Sequence, residues 1–197
     1  MTFDPNKKYG VIYTDPPWSY TNQKTGGSHT SGASQQYPVM KMKDIIDLPV
    51  KNITDKNAVL FMWITTPIKY DKLSPYDILK SWGFKYKTTF YWNKQYGGNK
   101  KGMGYYYRGQ VEELIIAVKG EIKAFHQQIR NIIDLPVQEH SVKPDWFYEL
   151  IEKSTEHLEN QNRIELFAAR PRDGWDSVGF DIDGKDIREV FKDKYEH

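Results

Sequence analysis

Residues 11–18 of the chain read Val11-Ile12-Tyr13-Thr14-Asp15-Pro16-Pro17-Trp18. The first three are strand-forming residues without a polar break, which is typical of a strand covered on both faces of a sheet. The two prolines then end strand pairing, because neither has an N–H to donate and each has a fixed φ. The segment therefore predicts a buried strand that runs into a rigid turn. In that turn a carboxylate and two backbone carbonyls stand beside an indole ring.

This turn is suited to holding the exocyclic amino group of a nucleobase. The Asp15 carboxylate and the carbonyls of Asp15 and Pro16 are acceptors that can orient the two N–H bonds of such an amine, which is a poor nucleophile by itself. Trp18 offers a flat face for stacking on an extruded base. The alternative is a rigid turn with a buried tryptophan and no chemistry, because motifs as short as this one often occur by chance.

The composition indicates one domain of ordinary size. The chain has 197 residues, a mass of 23.2 kDa and no cysteine, which excludes disulfides, thiol nucleophiles and cysteine-ligated zinc. Its longest apolar run, Ala58 to Ile64, is too short to span a bilayer, and the first residues do not resemble a signal peptide. The five histidines lack the spacing of a metal site. We therefore expect a single cytoplasmic domain over residues 1–197, without metal or membrane contact.

Charge is distributed unevenly, although the net charge is only +2. Residues 94–130 carry seven basic and three acidic side chains (net +4), whereas residues 173–197 carry eight acidic and four basic ones (net −4). This asymmetry is typical of a protein that binds a polyanion on one side, although an ordinary solvated surface can also have it. Residues 94–109 combine glycines, lysines and tyrosines, which suits contacts with phosphates and unstacked bases. A hairpin with packed tyrosines is the alternative.

The apolar pattern predicts strands that alternate with helices. The predicted strands are 11–13, 58–64, 86–92, 114–118 and 163–169. The predicted helices are 40–46, 75–82 with Ser74 as N-cap and Gly83 as stop, a third from Pro144, and 185–194. Residues 19–38 predict a mobile loop beside the proposed site, and residues 121–137 are ambiguous. The alternation indicates an α/β fold with a mostly parallel sheet and helices on both faces.

Ligands of such sheets bind outside the carboxyl ends of the strands. Three polar clusters are expected at those ends or at helix starts: Asp15 to Trp18, Ser141 to Pro144, and Arg170 with Trp175 and Asp176. Lys143 precedes a predicted helix, where a cation and backbone amides can clamp a carboxylate, although an isolated lysine is more often simply solvated. No dinucleotide fingerprint, P-loop or serine elbow is present. What remains is a site that can position an amine beside an aromatic ring and a charged small molecule. Chemistry at such an amine needs an activated donor cofactor, which the protein would bind and orient.

The chain resembles the MT-A family of adenine-N6 methyltransferases. That family is named for the catalytic subunit of the eukaryotic mRNA adenosine methyltransferase and is common in bacteria and phages. The resemblance runs from Tyr9 to about Asp183 and consists of short motifs in order along the chain. The main ones are Asp15-Pro16-Pro17-Trp18, Gln36-Tyr37-Pro38-Val39-Met40, Val59-Leu60-Phe61-Met62-Trp63, Gly104-Tyr105-Tyr106-Tyr107-Arg108-Gly109, His140-Ser141-Val142-Lys143-Pro144, Glu165-Leu166-Phe167-Ala168 and Gly174-Trp175-Asp176-Ser177.

The resemblance implies a Rossmann-like, S-adenosylmethionine-dependent methyltransferase fold with a permuted motif order. The half that binds the target base would span about residues 9–120, and the cofactor half about 138–183. Asp15 would face both the target amine and the methionine end of S-adenosylmethionine. Pro16 and Pro17 would shape the amine-holding turn, and Trp18 would stack on the base.

Further contacts are expected at single residues. Those toward the cofactor are Asp15, Lys143 for its carboxylate, and Glu165, Phe167, Arg170 and Asp181 for its ribose and adenine. Those toward the substrate are Tyr20, Tyr37, Lys94, Tyr107, Arg108 and Glu112.

Two departures from the family pattern concern the contacts to the cofactor's ribose. Ala169 stands where the family usually has Arg, and Arg170 follows it. After Gly174-Trp175-Asp176-Ser177 the family often continues with Trp-Gly-Asn-Glu, but this chain has Val178-Gly179-Phe180-Asp181. Asp181 is therefore expected to take the place of the missing Glu.

The sequence thus predicts an S-adenosylmethionine-dependent enzyme that methylates a flipped adenine in DNA by direct in-line transfer. The same reaction on RNA is one alternative, and a non-catalytic partner subunit that binds nucleic acid is another. DNA is favoured because no recognised RNA-binding appendage is found. The basic, tyrosine-rich segment argues against a small-molecule substrate. A chain of 23.2 kDa has little room for a separate recognition domain, so low specificity or a homodimer is expected.

Overall fold

The structure, a computed structural model, describes residues 3–4, 6–19, 39–70, 72–97, 106–125, 127, 129–138 and 142–195. Tyr20, Tyr37 and nearly all of the loop predicted at residues 19–38 lie outside these ranges. The strands and helices follow along the chain as β1 (Tyr9–Thr14), α1 (Met42–Ile46), β2 (Thr54–Ile64), α2 (Pro75–Trp82), β3 (Lys85–Gln95), β4 (Val111–Lys119), β5 (Ile132–Pro136), α3 (Trp146–Thr155), β6 (Arg163–Leu166), β7 (Asp176–Val178), α4 (Phe180–Asp183) and α5 (Ile187–Tyr195).

The seven strands form one sheet in the order β5-β3-β4-β2-β1-β6-β7. β1 pairs in parallel with β2 and β6, and the pairs β6–β7 and β3–β5 are also parallel. β4 is antiparallel to both of its neighbours, β2 and β3. The first residues of β4 therefore lie at the same edge as the carboxyl ends of β1, β2 and β6. The predicted mostly parallel α/β fold is confirmed.

β1 lies inside the sheet, and all six of its residues are buried. Because side chains alternate along a strand, it contributes to two separate cores. Ile12 packs on one face with residues of α1, α2 and α5, whereas Tyr13 packs on the other face with residues of α3. Burial on both faces is what the unbroken apolar run predicted. Helices on both faces of the sheet are likewise confirmed.

The predicted limits of α2 are confirmed by its caps. The Ser74 N–H donates to Asp77 Oδ2 over 2.8 Å as part of a capping box, and Pro75 occupies the first helical turn. Gly83 ends the helix in the left-handed region with φ 84°, which glycine adopts without the Cβ clash that other residues meet. None of the helices in the described ranges is long and apolar enough to cross a membrane.

Other elements differ from the sequence-based expectation. The ambiguous segment 121–137 contains β5, a strand at the edge of the sheet. The first helix begins at Met42 rather than Met40, because the Met40 N–H donates to the Pro17 carbonyl over 2.8 Å. The strand predicted to reach Ala169 ends at Leu166, since the backbone of Phe167 turns into the left-handed region with φ 62°.

The prediction that Asp176 belongs to a cluster at the carboxyl ends of the strands is wrong. Asp176 is the first residue of β7 and therefore lies at the opposite, amino end of that strand. Its buried carboxylate accepts hydrogen bonds from the Tyr9 hydroxyl and from Lys7 Nζ, each over 2.7 Å. The residue ties the N-terminal segment to β7 and has a structural role.

Candidate active site

The turn after β1 is held by backbone hydrogen bonds. The Trp18 N–H donates to the Pro16 carbonyl over 2.9 Å, and the Ser19 N–H donates to the Met40 carbonyl over 3.2 Å. A carbonyl has two lone pairs, so the Pro16 oxygen retains one for a further donor. Trp18 is largely buried in the core beside Met40, and its indole N–H has no hydrogen-bond partner among the described residues.

A cavity of about 370 Å³ opens beside this turn at the carboxyl edge of the sheet. Its walls come from the turn itself, from the ends of β2 and β6, from α4 and from the first residue of α5, together with Glu112 and Lys143. Its size lies in the range of small-molecule sites, which are mostly apolar with a few placed polar groups. The sequence led us to expect a ligand at this edge.

Four charged side chains meet at one end of the cavity. Lys143 Nζ lies 2.6 Å from Asp15 Oδ2 and 3.1 Å from Glu112 Oε2, and Lys94 Nζ lies 3.0 Å from Glu112 Oε1. Each comes from a different segment. Asp15 lies in the turn after β1 and Glu112 at the start of the reversed strand β4, whereas Lys143 precedes α3 and Lys94 lies near the end of β3. We call these four residues the ion cluster. Its two cations and two carboxylates balance.

The two carboxylates of the ion cluster have pKa values shifted in opposite directions. Burial would raise the pKa of Glu112, but Lys143 and Lys94 outweigh it and the pKa is lowered. Burial also raises the pKa of Asp15, and Lys143 offsets only part of that shift because the charge of Glu112 adds to it. Burial opposes the charge of Lys143 itself, yet the two carboxylates raise its pKa. Asp15 is therefore the carboxylate that is less strongly held in its ionised form.

The other end of the cavity is shaped by the exits of β6 and β7. The Ala168 N–H donates to the Val178 carbonyl over 2.9 Å, which brings the two exits together. Gly179 sits so close that a Cβ there would lie 2.3 Å from the Ala168 carbonyl oxygen. This approach places Phe180 and Asp181 of α4 in the cavity wall, with Phe180 48% exposed. The cavity is therefore charged at one end, and an aromatic ring stands beside a carboxylate at the other.

The model of the MT-A70 family matches residues 9–181 of this chain. The chain belongs to the MT-A70 family. The type II methyltransferase M.MunI from Mycoplasma sp is 33% identical over 195 residues, which cover 90% of this chain and 79% of that protein.

Two plant members of the family are more distant, at 24% identity over 95% of this chain. They are a putative N(6)-adenosine-methyltransferase MT-A70-like from Medicago truncatula and an N(6)-adenosine-methyltransferase MT-A70-like from Arabidopsis thaliana. The chain spans 30% and 26% of their lengths. The family and the adenine-N6 methyltransferase activity predicted from the sequence are confirmed by these similarities and by the family match.

Several residues predicted from the MT-A70 motifs line the cavity together. They are Asp15, Pro16, Pro17, Trp18, Glu112, Lys143, Phe167 and Asp181. They come from distant parts of the chain, and Asp15 and Lys143, which form an ion pair, are 128 positions apart. Lys94 belongs to the ion cluster through Glu112, whereas Tyr107 and Arg108 are exposed and do not line the cavity.

Glu165 and Arg170 also stand apart from the cavity wall. Glu165 is buried beneath it, where its Oε1 accepts a hydrogen bond from the Tyr148 hydroxyl over 2.9 Å. Burial raises the pKa of Glu165 to about 7. Its Oε2 has no hydrogen-bond partner within the described part of the chain. Arg170 is exposed and pairs with Asp145 over 2.7 Å, so the ribose contact expected of it stays a prediction.

Sequence reasoning missed part of the wall. Trp63, Ile64 and Thr65 at the end of β2 line the cavity, as do Asp186 and Ile187 near the start of α5. The sequence predicts a buried strand over residues 58–64 and a family motif over residues 59–63, but it predicts no ligand contact for Trp63 or Ile64. A signal was available, because a strand that pairs in parallel with β1 must end at the same edge as the Asp15 turn. In the described ranges no group of three or more acidic or histidine side chains could hold a metal ion.

Proposed function

We propose that this protein transfers the methyl group of S-adenosylmethionine to the N6 amine of an adenine in DNA. The observation that carries the proposal is the position of Asp15. Its carboxylate faces the cavity at the end of the proline-stiffened turn and is bonded to Lys143 over 2.6 Å. An acceptor for an amine and a cation for a carboxylate therefore stand side by side.

The residues of the cavity fit S-adenosylmethionine. Lys143 would bind the carboxylate of its amino-acid end, and Asp15 the adjacent ammonium group. Phe167 and Phe180 line the opposite part of the cavity and would cover the adenine, while Asp181 would accept hydrogen bonds from the ribose hydroxyls. Asp186 lines the cavity too, but its two oxygens already accept bonds from the Arg188 guanidinium at 2.9 and 2.7 Å. Asp181 is therefore the better candidate for the ribose.

The chain itself contributes position and charge to the reaction. Bound S-adenosylmethionine supplies an electrophilic methyl group on a sulfonium. The Asp15 carboxylate and the Pro16 carbonyl would accept hydrogen bonds from the two N–H groups of the target amine. These bonds would direct the lone pair of the amine nitrogen into the cavity. Trp18 would stack on the flipped base. Lys143 favours the ionised form of Asp15, because it offsets part of the rise in pKa that burial and the charge of Glu112 cause.

One observation supports DNA as the substrate, and a second supports a nucleic acid of either kind. The relative named a type II methyltransferase is matched over 79% of its length, whereas the two plant relatives named adenosine methyltransferases are matched over 30% and 26% of theirs. In addition, Tyr106 and Tyr107 are 96% and 92% exposed, and with Arg108 they lead directly into β4, whose second residue is Glu112 of the ion cluster. Exposed aromatic rings beside a cation suit unstacked bases and phosphates.

The proposal is tested by incubating the protein with radiolabelled S-adenosylmethionine and either DNA or RNA of random sequence. The polymers are then digested, and the nucleosides are identified by mass spectrometry. N6-methyldeoxyadenosine is the expected product, and Asp15→Ala should yield none. Methylated adenosine from RNA alone would overturn the choice of DNA, and cofactor binding without transfer to either polymer would overturn the activity. Light scattering on the same sample tests the predicted homodimer.

A further inference from the structure

We propose that Trp63 is a positioning residue that holds the Lys143 ammonium in place for the cofactor's carboxylate, and that Tyr13 orients Trp63. The inference rests on the proposed function, because it assigns Lys143 a ligand. Both aromatic residues lie in strands that the sequence predicts to be buried, and both are buried in the structure.

The Trp63 ring lies under the cation of the ion cluster. Lys143 Nζ is 5.1 Å from the centre of the ring, within the range of a cation–π contact. Trp63 is only 1% exposed, yet it lines the cavity. The ammonium of Lys143 thus contacts Asp15 and Glu112 on one side and the indole face on another. Such a contact is strongest where water is excluded, as it largely is here, because the Lys143 side chain is 13% exposed.

A hydrogen bond from β1 orients the indole. Trp63 Nε1 donates to the Tyr13 hydroxyl over 2.6 Å, and Tyr13 is itself buried. Tyr13 precedes Asp15 by two residues and pairs with Phe61, which precedes Trp63 by two residues. Strand side chains alternate, so Tyr13 and Trp63 project to the same face of the sheet. β1, which leads into Asp15, therefore also orients the Trp63 ring that contacts the Lys143 ammonium.

The same ring packs against the helix that follows Lys143. Phe147, in the first turn of α3, meets Trp63 edge to face with ring centres 4.7 Å apart. Trp63 therefore constrains Lys143 at two points, at its ammonium and through the helix four residues further on. This matters because Lys143 must serve a third carboxylate when a ligand enters. A cation held only by Asp15 and Glu112 would settle between them, whereas the indole face keeps it at the cavity wall.

The test compares two ligands by calorimetry: S-adenosylmethionine, and its decarboxylated analogue, which lacks the group that Lys143 would bind. Trp63→Leu should weaken binding of S-adenosylmethionine about 5- to 30-fold, the range of a partly desolvated cation–π contact. Binding of the decarboxylated analogue should change less than twofold. Trp63→Phe retains an aromatic face but loses the hydrogen bond to Tyr13, so it should bind more tightly than Trp63→Leu and no more tightly than Tyr13→Phe. Tyr13→Phe, which removes the hydrogen-bond acceptor alone, should give an intermediate loss.

Two further measurements separate positioning from a general structural role. In a Lys143→Met background, Trp63→Leu should produce no additional loss of affinity. Without any ligand, Trp63→Leu should raise the rate at which Lys143 is acylated by a lysine reagent, as followed by mass spectrometry. Thermal melting checks folding, and Trp63→Met replaces Trp63→Leu if the latter does not fold.

The inference would be overturned if Trp63→Leu lost equal affinity for both ligands, or lost as much affinity in the Lys143→Met background as in the wild type. An unchanged rate of Lys143 acylation in Trp63→Leu would also overturn it. If the wild-type protein binds no S-adenosylmethionine, the proposed function fails. In that case the acylation rate still tests the contact between Trp63 and Lys143.

Discussion

Replacing Lys143 by Met removes the cation that joins Asp15 to Glu112 while it keeps an unbranched side chain of similar length. A hydrogen bond to a charged group contributes about 1.5–3 kcal/mol, and each 1.4 kcal/mol changes a dissociation constant tenfold. Loss of the bond from Lys143 to the cofactor's carboxylate should therefore weaken S-adenosylmethionine binding about 10- to 140-fold. Isothermal titration calorimetry at pH 8 measures this directly.

The same substitution should also change the pH dependence of methyl transfer. Lys143 lowers the pKa of Asp15, whereas burial and the charge of Glu112 raise it. Without the lysine the pKa of Asp15 rises further, so the carboxylate becomes protonated at a higher pH. In the proposed mechanism the ionised Asp15 carboxylate accepts a hydrogen bond from the target amine, so activity should be lost as pH falls through the pKa of Asp15. The acidic limb of the rate profile should thus move to higher pH in Lys143→Met.

Lys153→Met is the matched control, because Lys153 is an exposed lysine on α3. It should bind the cofactor with wild-type affinity and have an unshifted pH profile. Cofactor affinity in Lys143→Met within twofold of the wild type would refute the assignment of the carboxylate contact. A limb that moves to lower pH would refute the electrostatic account of Asp15.

Three other substitutions test separate parts of the molecule. Asp15→Ala should abolish methyl transfer and leave the melting temperature nearly unchanged, since its carboxylate faces a cavity; methylation by this variant would contradict its role. Burial raises the pKa of Glu165 from 4.5 to about 7 in the folded protein. Its contribution to the free energy of unfolding is therefore fully present below pH 4.5 and is lost as pH rises through 7. In urea unfolding, wild-type stability should therefore fall between pH 4.5 and 8 by about 3 kcal/mol more than that of Glu165→Gln, and parallel curves would contradict this. Gly179→Ala would place a Cβ 2.3 Å from the Ala168 oxygen and should cost about 1–3 kcal/mol of stability. A Cβ at Gly97 would meet no atom of the described residues within 4 Å, so Gly97→Ala should melt like the wild type. Equal melting of the two glycine variants would show that the exits of β6 and β7 can separate easily.

Local chemistry made much of this fold predictable from the sequence. The turn after β1 follows from two consecutive prolines, and α2 follows from a serine N-cap and a glycine stop, which act within a few residues of the positions they define. The two-sided burial of β1 follows from its unbroken apolar run. Each of these features depends on residues that are neighbours in the chain, and each was correctly predicted.

The parts that were not predictable depend on pairing between distant segments. β7 has only three residues and lies beside β6, so its strand character comes from that neighbour rather than from its own pattern. The ion cluster unites Glu112 with Lys143 because β4 runs opposite to the other strands, and no local pattern signals a reversed strand. Sequence motifs identified both residues, but their mutual contact became evident only from the sheet order.

The reversed strand has a consequence for how the enzyme can acquire new preferences. β3 ends and β4 begins at the cavity edge, where the Lys94 N–H donates to the Gln110 carbonyl over 2.9 Å and Asn93 pairs with Val111. Both ends of the segment between β3 and β4 are therefore fixed to the sheet. Each end carries one charged residue of the ion cluster, Lys94 on β3 and Glu112 on β4. A segment tethered this way can lengthen, shorten or be exchanged at small entropic cost without moving the strands. The substrate contacts predicted for Tyr107 and Arg108 lie in this segment, so exchanging it for the corresponding segment of a relative tests those contacts without altering the cavity.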